Sequence, residues 1–207
     1  MRRLAMIGAA ALGACGLALP AAAEPPARDR SWFATAYHGQ WMKPRGFIGG
    51  GFETENSHFT SLALSRVLVP ELRLDLPVVG RLLDGASIEL EGQFGWHTGL
   101  QRHGEATLAL ALRSREITLI GPWRMNVAVA EGLSYALSRP TYEGLVNNEQ
   151  PRKFMNYLAF EAEFSHAALP QLTLVPRLHH RSGIFGVIAP QGSGSDFFGL
   201  GLRLALQ

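Results

Sequence analysis

A histidine, a serine and an aspartate near the C-terminus are residue types that carry out nucleophilic catalysis. His180 and Ser182 are two residues apart, and Asp196 follows a loop that contains four glycines and a proline. If residues 171–181 form a β-strand, His180 and Ser182 lie on one face, where the imidazole could take the hydroxyl proton. A carboxylate at the start of the neighbouring strand could orient the imidazole and stabilise its charged form. The three residues are therefore candidates for base, nucleophile and acid.

Simpler interpretations of such residues stay open. Serine, histidine and arginine are common at the water-facing rim of a sheet, where a serine beside a glycine-rich loop is often only a solvated strand end. Glu131 falls on an apolar row of another predicted strand, where it is either a substitute acid or the mark of a rim or register break. The chemistry above requires no cofactor. Five further histidines lack the spacing of metal ligands, so no metal is predicted; they are His38, His58, His97, His103 and His166.

Eight segments alternate apolar residues with small or polar ones, which is the two-residue period of a β-strand. Each segment has 9–12 residues. Strands of soluble proteins average about 5–6 residues, whereas a tilted membrane strand needs about 9–11. The predicted strands are residues 31–41, 58–68, 86–96, 105–113, 124–135, 155–166, 171–181 and 197–206.

The two faces of these strands decide between two kinds of barrel. Eight antiparallel strands can close into a barrel whose narrow interior is filled by side chains. A soluble, lipocalin-like barrel would place large apolar rows inside and charges outside, whereas here the second face is small, glycine-rich or ionic. Its charged residues are Glu89, Glu91, Glu161, Glu163, Arg113, Arg177 and Arg203. We therefore predict an all-β fold, an eight-stranded antiparallel transmembrane β-barrel of the outer membrane.

The composition agrees with such a barrel and excludes other classes. Only 17% of the 207 residues are charged, while 47% are hydrophobic and 23 are glycine; a soluble domain has roughly 25% charged residues. The apolar content excludes disorder, and the single cysteine excludes a disulfide scaffold. After residue 23 no run reaches the roughly 18 apolar residues of a membrane helix, which excludes a helical membrane bundle.

The first 23 residues have the layout of a secretory signal peptide: a basic start, an apolar run and a small-residue cleavage site. We predict cleavage after Ala23, which leaves residues 24–207 as a single barrel domain. One alternative is a retained membrane anchor, since Leu4–Ala23 carries no charge. Another is a lipoprotein whose lipidated N-terminus would be Cys15.

Cleavage would also change the charge of the protein. It removes Arg2 and Arg3 and no acidic residue, so that Lys+Arg falls from 19 to 17, the number of Asp+Glu. A neutral chain offers no electrostatic case for binding nucleic acid.

An even number of strands places both termini on one side of the membrane, the periplasmic side for a barrel assembled after export. The turn at 167–170 is short, as expected there, whereas 69–85 is long and could lie along the inner interface. The extracellular loops would be residues 42–57, 97–104, 136–154 and 182–196. Several aromatic residues fall near predicted strand ends, as an aromatic girdle would; they are Trp32, Trp41, Trp96, Trp123, Tyr37 and Tyr135.

The C-terminal segment resembles a known family of barrel enzymes. His180-Arg181-Ser182, a loop rich in Gly and Pro, and Asp196 at the start of a last strand are similar to the PagL lipid A 3-O-deacylases. The resemblance implies an eight-stranded outer-membrane barrel, made with a signal peptide, whose lipid-facing triad hydrolyses the acyl ester at the 3-position of lipid A. It also implies His180 as general base, Ser182 as nucleophile and Asp196 as acid. The motif covers only about residues 178–206.

The chain departs from the pattern of that family at three points. Gly183 stands where an asparagine usually follows the serine and supplies an oxyanion contact, so that only backbone N–H groups are left for that role. Losing one such donor costs about 10²–10³ in rate. The acid is Asp196 instead of Glu, and the chain ends in Leu206-Gln207 instead of an aromatic residue.

Two functions of different class follow from the sequence. The first is a carboxylic ester hydrolase of the outer membrane that removes an acyl chain from lipid A. The second is a non-catalytic outer-membrane barrel with a structural or surface-binding role. The partners expected are lipopolysaccharide of the outer leaflet and outer-membrane lipids. Nucleic acid is not expected as a partner. Whether the protein forms a homodimer stays open.

Overall fold

The computed structural model describes residues 31–43, 53–73, 83–190 and 192–206. The predictions of a signal peptide over residues 1–23 and of lipidation at Cys15 lie outside the described residues, as does most of the segment 69–85. Within the described residues, no helix is both long and apolar enough to cross a membrane.

The described chain forms long antiparallel strands, one four-residue strand and a short helix. In chain order they are β1 (Trp32–Met42), β2 (Thr54–Val69), β3 (Ser87–Gly99), β4 (His103–Arg113), β5 (Ile117–Ile120), β6 (Trp123–Ala136), α1 (Thr141–Asn147), β7 (Phe154–His166), β8 (Leu172–Ser182) and β9 (Gly194–Leu206). Each long strand pairs with the next, β9 pairs with β1, and β4 pairs with β6. The short β5 pairs only with β6. The structure thus confirms the predicted closed eight-stranded antiparallel barrel.

The bounds differ from the prediction where polar residues face the interior. The predicted loop 97–104 is wrong, because β3 continues to Gly99 and β4 begins at His103. β2 likewise begins at Thr54, before the predicted start at residue 58. These strand ends carry polar side chains inward, so the apolar period that marks the rest of each strand is missing there. The helix α1, inside the predicted loop 136–154, and the strand β5 were not predicted.

The barrel has two ends, here named the loop end and the termini end. β1, β3, β6 and β8 finish at the loop end, and the strands that follow them run back to the termini end. The helix α1 and the segment between β8 and β9 therefore both lie at the loop end.

Ion pairs fill the interior of the barrel. Nη1 of Arg113 lies 2.8 Å from Oε1 of Glu163, and Nη2 of Arg177 lies 2.8 Å from Oε2 of Glu91. Further pairs link Arg113 to Glu89 and Glu161, Arg177 to Glu161, and Arg203 to Glu89 and Glu163. Because each buried charge has an opposite partner, a row of ionic residues can occupy a narrow lumen.

The outward rows are apolar and exposed. Among the large hydrophobic residues on this surface are Leu62, Phe94, Leu108, Leu110, Phe160, Leu200 and Leu202. The aromatic residues Trp32, Trp96, Trp123 and Tyr135 are also exposed near strand ends, as predicted. The girdle prediction is wrong for Tyr37 and Trp41, which lie on the inward row of β1 and are buried.

Candidate active site

His180 lies on the outward row of β8, two residues before the strand ends. In the register between β8 and β9 it stands opposite Asp196. The two side chains are 31% and 20% exposed, and Nδ1 of His180 lies 2.6 Å from Oδ1 of Asp196. An ionised carboxylate can only accept hydrogen bonds, so Nδ1 donates, and Nε2 of the neutral ring keeps a free lone pair. The imidazole is therefore oriented as a base.

Ser182 ends β8 and shares the outward face with His180. Its hydroxyl donates to Oδ1 of Asn156 at 3.4 Å, which is long for a hydrogen bond between oxygens. The hydrogen bonds among the described residues include none between Ser182 and His180. Rotation of the serine side chain is therefore required before its proton can pass to the imidazole.

Asn156 is the residue of this site that sequence reasoning missed. It stands opposite Ser182 in the register between β7 and β8 and is only 5% exposed. Its Nδ2 donates to the carbonyl oxygen of Gly132 at 3.0 Å and to a carboxylate oxygen of Glu131. The amide interrupts an otherwise apolar row of β7, which is a signal in the sequence, but only the register places it beside the serine.

Glu131 lies on the outward row of β6, as the strand pattern predicts. Its contact is with Asn156, whereas the carboxylate that contacts His180 belongs to Asp196. Across four neighbouring strands, polar side chains thus follow one another on an otherwise apolar surface. We refer to these residues as the polar band: Glu131, Asn156, Ser182, His180 and Asp196.

Gly183 follows the serine in a tightly packed turn. Its carbonyl oxygen accepts the N–H groups of Ile188 at 2.9 Å and Ala189 at 3.3 Å. A Cβ at this position would overlap the carbonyl oxygen of Ala189. The turn therefore has no room for the asparagine that usually follows the serine in the PagL deacylases. That the backbone N–H of Gly183 serves as an oxyanion donor stays a prediction.

Buried contacts at the loop end hold the strands that carry the polar band. Arg181 faces the interior between His180 and Ser182, and its Nη1 lies 2.8 Å from Oε2 of Glu143 in α1. Burial raises the pKa of the Glu143 carboxyl although the guanidinium lies against it. Asn147 of α1 donates to the carbonyl oxygen of Gly194 at 2.9 Å. The helix therefore connects the end of β8 with the start of β9.

A second group of chemically capable residues lies inside the barrel at the same end. His97, His103 and Glu105 are buried, and their ligand atoms lie within 4.8 Å of one another. The spacing of these histidines in the sequence predicted no metal site, but the structure brings the ligand atoms of His97 and His103 together. The two face each other across the turn between β3 and β4, a relation that their separation in sequence does not show.

Comparisons with known proteins find similarity only at the level of structure. No protein-family model matches the chain, and no characterised protein matches its sequence. The outer membrane enzyme PagL is 11% identical with a TM-score of 0.57, over 84% of this chain and 99% of that one. Neisserial surface protein A is 8% identical with a TM-score of 0.48, over 86% and 97%. The N-terminal barrel domain of Pseudomonas aeruginosa OprF is 11% identical with a TM-score of 0.46, over 84% and 96%.

The chain therefore has the fold of the closed eight-stranded barrels found among outer-membrane proteins. PagL is described as an outer membrane enzyme. At 11% identity the similarity to PagL is one of fold, so the function has to be argued from the residues of the polar band.

Proposed function

We propose that the protein is an outer-membrane esterase that removes the acyl chain ester-linked at the 3-position of lipid A. The observation that carries the proposal is the 2.6 Å contact between Nδ1 of His180 and Oδ1 of Asp196 on the outward surface of the barrel. Ser182 follows on the same face of β8. A triad in this place faces the lipid, where an ester bond of a membrane lipid is within its reach.

The reaction proceeds in two steps through an acyl-serine. Oγ of Ser182 attacks the ester carbonyl carbon while Nε2 of His180 takes its proton. The tetrahedral intermediate expels the sugar alkoxide, which receives that proton from His180. Water then attacks the acyl-serine, again with His180 as base, and releases the fatty acid and the free serine. Asp196 holds the ring and stabilises its charged form in both steps.

The site lacks a side-chain donor at position 183, and the side-chain amide of Asn156 is hydrogen-bonded to the proposed nucleophile. Its Oδ1 accepts from the Ser182 hydroxyl, while its Nδ2 is held by Gly132 and Glu131. We assign Asn156 the role of a positioning residue, since it restricts the rotation of the hydroxyl. The oxyanion would then depend on backbone N–H groups after Ser182.

The outward surface next to the polar band has room for an acyl chain. The outward row of β1 includes the small residues Ala34 and Ala36, which lie between larger side chains of β2 and β9. A groove of about 770 Å³ crosses β1 at Ala36 and His38, between Leu62 of β2 and Leu200 of β9. It starts on β9 about four residues from Asp196, so a long acyl chain bonded to Ser182 would extend down the barrel towards it.

A non-catalytic barrel with a structural or surface-binding role is the second candidate. The observation that favours it is the bond of the Ser182 hydroxyl to Asn156 instead of His180. In that case the polar band would be a set of mutually satisfied side chains at the rim of the barrel.

Mass spectrometry of lipid A from cells that express the chain tests the proposal. We expect the loss of one hydroxyacyl group, and no loss with Ser182→Ala or His180→Ala. Ser114→Ala and His166→Gln, at the termini end of the barrel, are the matched controls and should behave as the wild type. Unchanged lipid A in cells whose barrel is folded, as judged by heat-modifiable gel mobility, would contradict the proposal.

A further inference from the structure

The hairpin of β3 and β4 brings three metal-binding side chains together inside the barrel. His97 and His103 stand opposite each other in the register, and Glu105 follows two residues later on the same face. Opposite residues of an antiparallel pair have Cβ atoms about 4.5–5.5 Å apart, and alternate residues of a strand share a face. The backbone of a single hairpin is therefore sufficient to converge two imidazoles and a carboxylate.

Polar atoms of this group have no partner within the described part of the protein. His103 is 1% exposed, and neither Nδ1 nor Nε2 makes a hydrogen bond there. Oε1 of Gln101, in the turn that covers the group, is also buried without a partner. Buried polar atoms are almost always satisfied, because desolvation without a hydrogen bond costs free energy. These atoms indicate that a further species belongs between His103 and its neighbours.

We propose that His97, His103 and Glu105 bind a Zn²⁺ ion. Two histidine nitrogens and one carboxylate oxygen are a donor set that zinc uses in proteins, with a fourth ligand from another side chain or water. Nε2 of His97 lies 2.6 Å from Oε2 of Glu105, so these two atoms share a proton without the ion. Zinc takes the place of that proton, which is released to water.

The surroundings orient the carboxylate for this role. Oε1 of Glu105 accepts from Oγ of Ser134 at 2.7 Å and lies 3.0 Å from Nε2 of His179. These bonds leave Oε2 directed at the histidines, as outer-shell partners do in metal sites. The nearby cation, Arg181, lies 3.6 Å from Oε1 and is paired with Glu143. Arg181 therefore contacts the oxygen of Glu105 that does not face His97, and Oε2 is left for a cation.

Zinc at this site would hold the β3–β4 hairpin closed at the loop end. The site lies inside the barrel, whereas the polar band lies outside, so zinc binding is independent of the proposed hydrolysis. Ser182→Ala should therefore bind zinc as the wild type does.

The test uses the whole protein, extracted in detergent, stripped with a chelator and titrated with Zn²⁺ or Co²⁺ alone. We expect one ion per chain, visible absorption of four-coordinate Co²⁺ and a higher thermal midpoint with zinc. His103→Leu should weaken zinc binding by at least about 100-fold and abolish the thermal shift. It should fold without zinc, because the imidazole nitrogens make no hydrogen bond within the described residues. His58→Gln, on the outward face of β2, is the control and should bind zinc normally.

Two results would overturn the proposal. One is a wild-type protein that takes up no zinc at micromolar concentrations. The other is a His103 variant with unchanged affinity, in which case the ion binds elsewhere. His103→Gln serves as the second variant if the leucine variant does not fold, since it keeps a polar side chain at the position.

Discussion

At the scale of residues, the strength of the interaction between His180 and Asp196 depends on the surroundings of the pair. The pair is only partly exposed, and in the sheet register it lies between Leu158 of β7 and Met42 of β1. In such surroundings the attraction between an imidazolium and a carboxylate is stronger than in water. A carboxylate at this distance is therefore able to stabilise the charge that the ring would acquire in the proposed reaction, when it takes the serine proton.

We predict that Asp196→Asn reduces the rate of the proposed deacylation by about 10²–10⁴. The amide keeps the size of the side chain but loses the charge, and it permits the wrong tautomer of His180. The rate is measured on lipid A in detergent micelles with folded protein. Asp84→Asn, at the termini end, is the control, and an equal rate for both variants would remove Asp196 from the triad.

We predict that Asn156→Ala lowers kcat about fivefold to tenfold with little change in KM, since the loss of one hydrogen bond is worth about 1 kcal/mol. The amide restricts the hydroxyl of Ser182 and in our proposal does not bind the substrate. Steady-state kinetics of the folded variant measures both constants. A faster enzyme would mean that Asn156 holds the serine away from His180.

At the scale of elements, the connection between β8 and β9 decides whether His180 contacts Asp196. Gly194, the first residue of β9, has a φ of 130°, which is accessible to glycine and strained for other residues. A Cβ there would overlap the carbonyl oxygen of Arg181. The close approach of the two strands, and with it the pairing of His180 with Asp196, therefore depends on a glycine.

We predict that Gly194→Ala lowers the free energy of unfolding by at least about 1–3 kcal/mol. The proposed activity should fall as well, because His180 and Asp196 lie on the two strands that the alanine disturbs. The alanine must either adopt the strained φ or separate β8 from β9. Unfolding by urea in micelles measures the first effect, and lipid A hydrolysis the second. Gly92→Ala is the control, because its Cβ would meet nothing within 4 Å; equal stability of the two variants would contradict the prediction.

At the scale of the whole molecule, the ion pairs of the lumen connect strands from opposite sides of the barrel. Arg177 of β8 reaches Glu91 of β3 and Glu161 of β7. Buried pairs add little net stability compared with apolar residues, but the removal of one partner leaves an uncompensated charge. The network therefore makes the stability of the barrel sensitive to single substitutions in its interior.

We predict that Arg177→Met costs about 3–5 kcal/mol in the free energy of unfolding. Arg124→Met is the matched control, since Arg124 is exposed and lies 3.6 Å from Glu116; it should change stability by no more than about 1 kcal/mol. Urea unfolding in micelles measures both. Equal losses in the two variants would show that the interior pairs do not determine stability.

Much of the molecule follows from the sequence because the period of a strand is local. Alternation along each segment predicted the strands and their two faces, and it placed His180, Ser182 and Asp196 on outward rows. It failed where strands end in polar residues, as at His97 and His103, because there the apolar signal stops while the backbone pairing continues.

The sequence by itself determined the barrel, its apolar exterior and the outward position of the His–Ser–acid residues, because side chains alternate along a strand whatever its neighbours are. Only the tertiary structure decided that Asn156 lies beside Ser182 and that His97 faces His103. These contacts depend on the register between strands, which hairpin turns and barrel closure set together. Register is a relation between segments, and no single segment of the sequence contains it.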